Sequence, residues 1–169
     1  MGSLALGYLI TWRTYGTWLH GDGRRSTHHR LAHSYRSPDL TPTHRWRDDA
    51  RDRMREPAFV LDDAGRAVVQ ATVSEVCDHP GWCLLAVNAR TNHVHTVLSC
   101  RCAPEVTMTT LKAWSTRRLR EAKRVADDAR VWARHGSTRY LWTEEDVRGA
   151  VRYVVERRLT LAARWVDRV

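Results

Sequence analysis

The chain has almost no lysine. Of its 28 basic residues only Lys112 and Lys123 are lysines, and the rest are arginine. It has a single phenylalanine among 169 residues and five prolines. It lacks any apolar run near the ~20 residues that span a bilayer, and its longest candidate, Leu4 to Ile10, is far shorter. That stretch also lacks the charged start and small-residue cleavage site of a secretory signal. The four cysteines at 77, 83, 100 and 102 contain no Cys-x-x-Cys pair. They therefore read as reduced, mostly buried thiols of a cytoplasmic protein rather than a disulfide framework or a zinc ribbon.

What is present is positive charge. Twenty-eight basic residues against 19 acidic ones leave a formal net charge of +9. Arginine's planar, permanently charged fork takes phosphate oxygens in pairs. The excess points to a nucleic-acid partner. A chain of this length can bury about 70% of the surface it exposes unfolded, so one domain folds without a staple. Residues 1–169 read as one domain with a basic loop insertion at about 20–60.

The pattern predicts a strand from about Gly7 to Thr14, where Tyr8, Ile10 and Trp12 alternate with Leu9, Thr11 and Arg13. His20 to Pro57 carries glycines, prolines and arginines with weak apolar periodicity, and reads as loop with a short helix near Arg45 to Met54. His28, His29 and His33 within it have irregular spacing and no neighbouring cysteine, so they read as surface rather than metal ligands. Asp62 is a good N-cap for a helix with Val69, Val73, Val76 and Cys77 on its buried stripe, stopped by His79-Pro80-Gly81. Trp82 to Val87 and His93 to Ser99 read as a hairpin around a turn at Asn88 to Asn92. Pro104 opens a helix to about Arg124, with Met108, Leu111, Leu119 and Ala122 as its stripe. Arg139 to Trp142 is a short strand candidate. Thr143, with an acid at Asp146, is a capping box for a last helix reaching at least Arg158, with Val147, Val151 and Val154 buried.

The order β-α-β-β-α-β-α predicts an α+β, ferredoxin-like antiparallel sheet. Right-handed crossovers put both connecting helices on one face. The additional C-terminal helix is the natural cover for the other, open face.

The sharpest motif is His93-Val94-His95. Residues two apart on a strand share a face, so two imidazoles aim together and can hold one divalent ion. Cys100 and Cys102 fall on the opposite parity, which sets aside a zinc site with cysteine. On the last helix Tyr153 sits at the border of the apolar stripe, with Gly149 leaving space beside it one turn earlier. A phenol is a weak nucleophile at neutral pH and needs a base or a polarised target. The helix from Pro104 presents Lys112, Arg117 and Arg118 on its polar face as a path for a DNA backbone, with Trp114 beside them to stack on a base.

Asn92-His93-Val94-His95 and Arg152-Tyr153-Val154-Val155 resemble the HUH-type single-tyrosine transposases of the IS200-like superfamily, particularly the REP-associated branch. Ala-Val-Asn-Ala-Arg-Thr-Asn before the first histidine is similar too, as are Gly16-Thr17-Trp18-Leu19 and Arg134 to Tyr140. The resemblance implies a sheet with both histidines on its open face under the tyrosine helix. It implies Mg²⁺ or Mn²⁺ as cofactor and single-stranded, hairpin-forming DNA as substrate. Tyr153 would attack a DNA phosphate, leaving a 5′-phosphotyrosine and a free 3′-hydroxyl that later rejoins strands. It leaves open a monomer or a homodimer. One position departs: where the family commonly has Gln or Asn four residues after the tyrosine, this chain has Arg157. Either Glu156 supplies the third metal ligand, or water or phosphate fills that position, or the site is degraded, which gives a non-enzymatic DNA-binding protein; Arg157 is then a phosphate clamp or the mark of that degradation.

Overall fold

A computed structural model describes residues 5–18, 44–79 and 81–166, without the side chains of 44–47 and 157–166. The elements are β1 (Gly7–Thr14), α1 (His44–Asp52), α2 (Asp63–Cys77), β2 (Trp82–Ala89), β3 (His93–Cys100), α3 (Pro104–Glu121), β4 (Trp132–Leu141) and α4 (Glu144–Val166). The four strands form one sheet in the order β2-β3-β1-β4, and every neighbouring pair is antiparallel. This is the expected α+β arrangement with the extra C-terminal helix. The expected histidines at 28, 29 and 33 lie outside the described residues.

Alternation on β1 decides the layers. Tyr8, Ile10 and Trp12 enter a core with Val69, Val73, Leu111, Leu119, Val94 and Leu98, so α2 and α3 cover one face. Fully burying each large apolar side chain contributes about 1.5–3 kcal/mol, so this cluster carries most of the fold. Gly136 on β4 lets α3 approach closely: a Cβ there would run into Met108 Sδ and the carbonyl of Thr11. Among the described residues the opposite face holds a smaller cluster. Ala86, Val97 and Leu141 meet Ala150 and Val154 of α4, with Leu9, Val147 and Val151 at the edge.

The helix ends follow local chemistry. Asp62 Oδ1 accepts from Gly65 N at 2.7 Å and starts α2. Thr143 Oγ1 accepts from Asp146 N at 3.1 Å while Asp146 Oδ2 accepts from Thr143 N at 3.2 Å, a reciprocal capping box that starts α4. The Thr143 hydroxyl and N–H, with Trp142 N–H and Arg139 behind them, hold the Asp146 carboxyl below the usual aspartate range.

Four expectations need correction. The α3 helix stops at Glu121, not Arg124, because Lys123 takes a left-handed φ of 54° and its neighbour's N–H closes on Leu119 O at 2.8 Å. Ala122 is accordingly exposed rather than part of the stripe. β2 runs through Asn88 and Ala89, which pair with His95 and Val94, so the turn is shorter than the reading of Asn88 to Asn92. β4 begins seven residues before the expected Arg139, at Trp132. It is an edge strand with exposed Arg134 to Ser137, so no apolar alternation marks it. The cysteines are free but not mostly buried: Cys77 is buried, Cys83 and Cys102 are exposed, and Cys100 is between. Burial pushes the Cys77 thiol up to about 12, which makes it inert.

Candidate active site

β3 splits its side chains as its parity requires. Val94 and Leu98 enter the α2/α3 core, while Val97 joins the cluster under α4. His93 and His95 share the α4 face, with ring centroids 4.6 Å apart and planes at 81°. Each ring is held through its Nδ1. His93 Nδ1 lies 2.6 Å from Asn92 Oδ1, and His95 Nδ1 lies 2.8 Å from Thr11 Oγ1. An amide oxygen only accepts, so His93 Nδ1 donates, and Nε2 is the ring atom turned away from this bond. The Thr11 hydroxyl works in either sense, and as acceptor it holds His95 Nδ1 in the same way. Thr11 and His95 are register partners across β1 and β3, so sheet pairing itself delivers this contact.

α4 brings the tyrosine. Val154, fully buried, and Ala150 face the sheet, which leaves Tyr153 at the helix border, 39% exposed. Its ring meets the His95 ring edge to face at 5.5 Å. Asn88 of β2 reaches across the layer and donates from Nδ2 to Val154 O at 3.1 Å, a fully buried bond one residue from Tyr153. This amide fixes the helix on the sheet where the phenol must be placed.

Gly149 borders open space, where an added Cβ would meet nothing within 4 Å, and Glu145, Arg148, Arg152, Tyr153 and Glu156 line a groove with it. Glu156 is therefore placed with Tyr153 along α4. Among the described residues no group of three His, Cys, Asp or Glu converges as a metal cluster. The donor set brought together is the imidazole pair. Two such nitrogens, with both Nδ1 atoms engaged elsewhere, fit a divalent ion that takes its remaining positions from water and phosphate. Arg157 lies on α4 but its side chain is outside the described residues.

The cations predicted on α3 sit on the other layer of the protein, across the sheet from His93, His95 and Tyr153. Lys112 Nζ points at the carbonyls of Ala133, Arg134 and His135 at 3.0–3.4 Å, bracing the start of β4, and burial lowers its pKa. Arg118 pairs with Glu75 of α2 and with Glu121. Arg117 pairs with Glu121 at 2.9 Å and lies 5.4 Å from the centre of the half-exposed Trp114 ring. Sequence reasoning gave no role to Thr11, and named Asn88 and Asn92 only as part of the turn and of the stretch that carries the resemblance. Asn88 carried a signal, as the one strongly polar residue in the strand Trp82–Ala89.

A family model described as "Transposase IS200 like" matches residues 53–145, more than half of the chain. The chain belongs to the IS200-like transposase family. No curated protein matches it. The match contains both histidines of the transposase and stops at Glu145, short of Tyr153. Membership places the protein among the DNA transposases by family, which points to DNA transposition. No helix among the described residues is long and apolar enough to cross a membrane.

Proposed function

We propose that this transposase cuts and rejoins single-stranded DNA, at or near a hairpin, through a covalent 5′-phosphotyrosine at Tyr153, with Mg²⁺ or Mn²⁺ at His93 and His95. The observation that carries the reading is the packing of the Tyr153 ring on the His95 ring. It puts a half-exposed phenol beside two imidazoles whose orientation is fixed from behind.

Tyr153 Oη forms a bond to a backbone phosphorus, and the bond from that phosphorus to the 3′ oxygen breaks. The phenolic proton leaves to solvent or a substrate oxygen, and the departing 3′ oxygen takes up a proton. Reversal by another 3′-hydroxyl rejoins the strands. His93 and His95 would hold a divalent ion, which when bound would neutralise charge building on the phosphate. The chain supplies the rest. Asn88 and the valine stripe hold Tyr153 at the site, Thr11 and Asn92 hold the rings, and the Gly149 groove gives the strand access.

A covalent trap tests this. Wild type incubated with labelled single-stranded hairpin DNA and Mg²⁺ or Mn²⁺ should give a denaturation-resistant protein–DNA band. Tyr153→Phe should give none while still shifting the DNA in a gel. A band that persists in Tyr153→Phe removes the nucleophile assignment. Glu156→Ala should raise the metal concentration needed for cleavage if its carboxylate completes the site.

Arg157 supports a second reading, a DNA-binding protein that has lost cleavage, because a cation replaces the neutral polar residue of the family. Wild type then binds DNA without forming the band. Arg157→Gln restores cleavage if the site is degraded, and slows it if Arg157 clamps phosphate.

A further inference from the structure

α3 covers β4 only part of the way. Thr138 Oγ1 donates to Glu105 Oε1 at 2.9 Å, and Glu105 is in the first turn of α3, so the strand beyond Thr138 runs past the end of the helix. Tyr140 lies in that stretch. It is the register partner of Tyr8, which enters the α2/α3 core, so both rings project on the same side. They meet at 87° with centroids 5.1 Å apart. Trp142 follows two residues on and stacks on Tyr140, with planes 13° apart and centroids 5.7 Å apart. Tyr8 is 9% exposed, Tyr140 43% and Trp142 52%, so the row runs from the core to open water. Leu6, whose N–H donates to Leu141 O at 2.8 Å, is exposed beside it.

Folding gains little from the outer ring, because a half-exposed tryptophan forfeits much of the burial that would stabilise it. Its backbone is nevertheless held: Trp142 N–H donates to Asp146 Oδ2 at 3.3 Å, inside the cap that starts α4. A fixed, open π face is what a nucleobase stacks on. Two further observations select that occupant. The chain carries a net charge of +9, which draws in a polyanion and repels a second copy. The groove of Glu145, Arg148, Gly149, Arg152 and Tyr153 runs along α4 back to its first turn, and Thr143, which caps that turn, follows Trp142 directly. The helix from Thr143 to Tyr153 is about 15 Å long, roughly the reach of four or five stacked nucleotides.

We propose that Trp142, backed by Tyr140, is a stacking platform for an unpaired base of the DNA strand that Tyr153 attacks, a few nucleotides from the attacked phosphate. This rests on the single-stranded DNA reading above. It adds a contact at the foot of the tyrosine helix, apart from the histidines.

The test is equilibrium binding of the full-length protein to fluorescent single-stranded hairpin oligonucleotides, without divalent ion, across a salt series. Trp142→Leu keeps apolar bulk and removes the π face. It should lower affinity about five- to a hundredfold, the range for one stacked base. The log K against log[salt] slope should stay as in wild type, because no phosphate contact is lost. Trp142→Phe should recover most of the affinity. In a set of oligonucleotides each lacking one base, wild type should lose affinity at one or two positions, and Trp142→Leu should lose no more there. Wild-type affinity in Trp142→Leu overturns the proposal, as does a changed slope or an equal loss at every abasic position in both proteins. If Trp142→Leu fails to fold, photocrosslinking of wild type decides. Iodouracil at the sensitive position should join Trp142 or Tyr140, and crosslinks to other residues alone overturn the assignment. A wild-type dimer that Trp142→Leu dissolves in sedimentation equilibrium gives the patch to a second copy and overturns it too. Failure of the wild type to bind any single strand overturns the single-stranded DNA reading and this proposal with it, whereas binding that ignores Trp142 overturns this proposal alone.

Discussion

The chemistry of the site depends on atoms behind the histidines as much as on the histidines. Thr11 contributes one hydroxyl, 2.8 Å from His95 Nδ1, and nothing else on the site face. Thr11→Val keeps the shape and removes that partner, so the ring is free to choose the other tautomer or turn. Loss of such a partner typically costs ten- to a hundredfold in metal affinity. Thr11→Val should therefore weaken Mn²⁺ binding by that factor in calorimetry, with little change in melting temperature. An unchanged Mn²⁺ isotherm would mean that the hydroxyl does not orient the ring. His93 and His95 were legible in the sequence because strand parity is a local rule. Thr11 was not, since it acts only through a register pairing 84 positions away in sequence.

At the scale of elements, α4 is joined to the sheet by a small apolar cluster and one buried amide. Asn88→Asp replaces a donor to Val154 O with a carboxylate facing a carbonyl. It should destabilise the fold by about 1–3 kcal/mol in urea unfolding. Cleavage should fall further than stability, because Tyr153 moves relative to His95. Activity that tracks stability alone would reduce Asn88 to a packing role. The cap at the other end of α4 responds to acid. The Asp146 pKa is lowered on folding, so its stabilisation is fully present above the usual aspartate value and is lost as pH falls through the lower folded value. Amide protection in the first turn of α4, taken relative to the intrinsic exchange rate at each pH, should be flat from neutral pH to about 4. Below that it should fall, and Asp146→Asn should show the lower protection throughout. This cap was readable because Thr143 and Asp146 are three residues apart. The start of β4 was not, because an edge strand with polar residues on both faces leaves no periodic mark, and only pairing with β1 makes it a strand.

Among the described residues the molecule is two unequal layers on one sheet. The large core beneath α2 and α3 holds Trp12 and Ile10 fully buried, whereas few described side chains are buried on the α4 side. A chain ending at Trp142 should keep the first core but uncover Val97, Ala86 and Leu141. It should bind a hydrophobic dye and lose roughly 3–6 kcal/mol of stability. Full stability without α4 would mean that the helix is a passenger on the fold. The overall topology was legible because element order and crossover handedness leave few solutions. The layer of the α3 cations followed from the same rule, since α3 is a crossover helix, whereas their engagement with Glu75, Glu121 and the β4 carbonyls was not legible, because it depends on side chains brought together only by packing. The chain between β1 and α2 departs and returns at one corner: Phe59 N bonds Tyr15 O at 2.9 Å, and Leu61 N bonds Thr91 O at 2.8 Å. Both anchor points sit against the strand ends that carry the histidines. A segment fastened this way closes at a cost that grows only slowly with its length. Core clusters, strand register and Tyr153 draw on no described residue between the two anchors. The corner is thus a place where new target preference can evolve without renegotiating the fold.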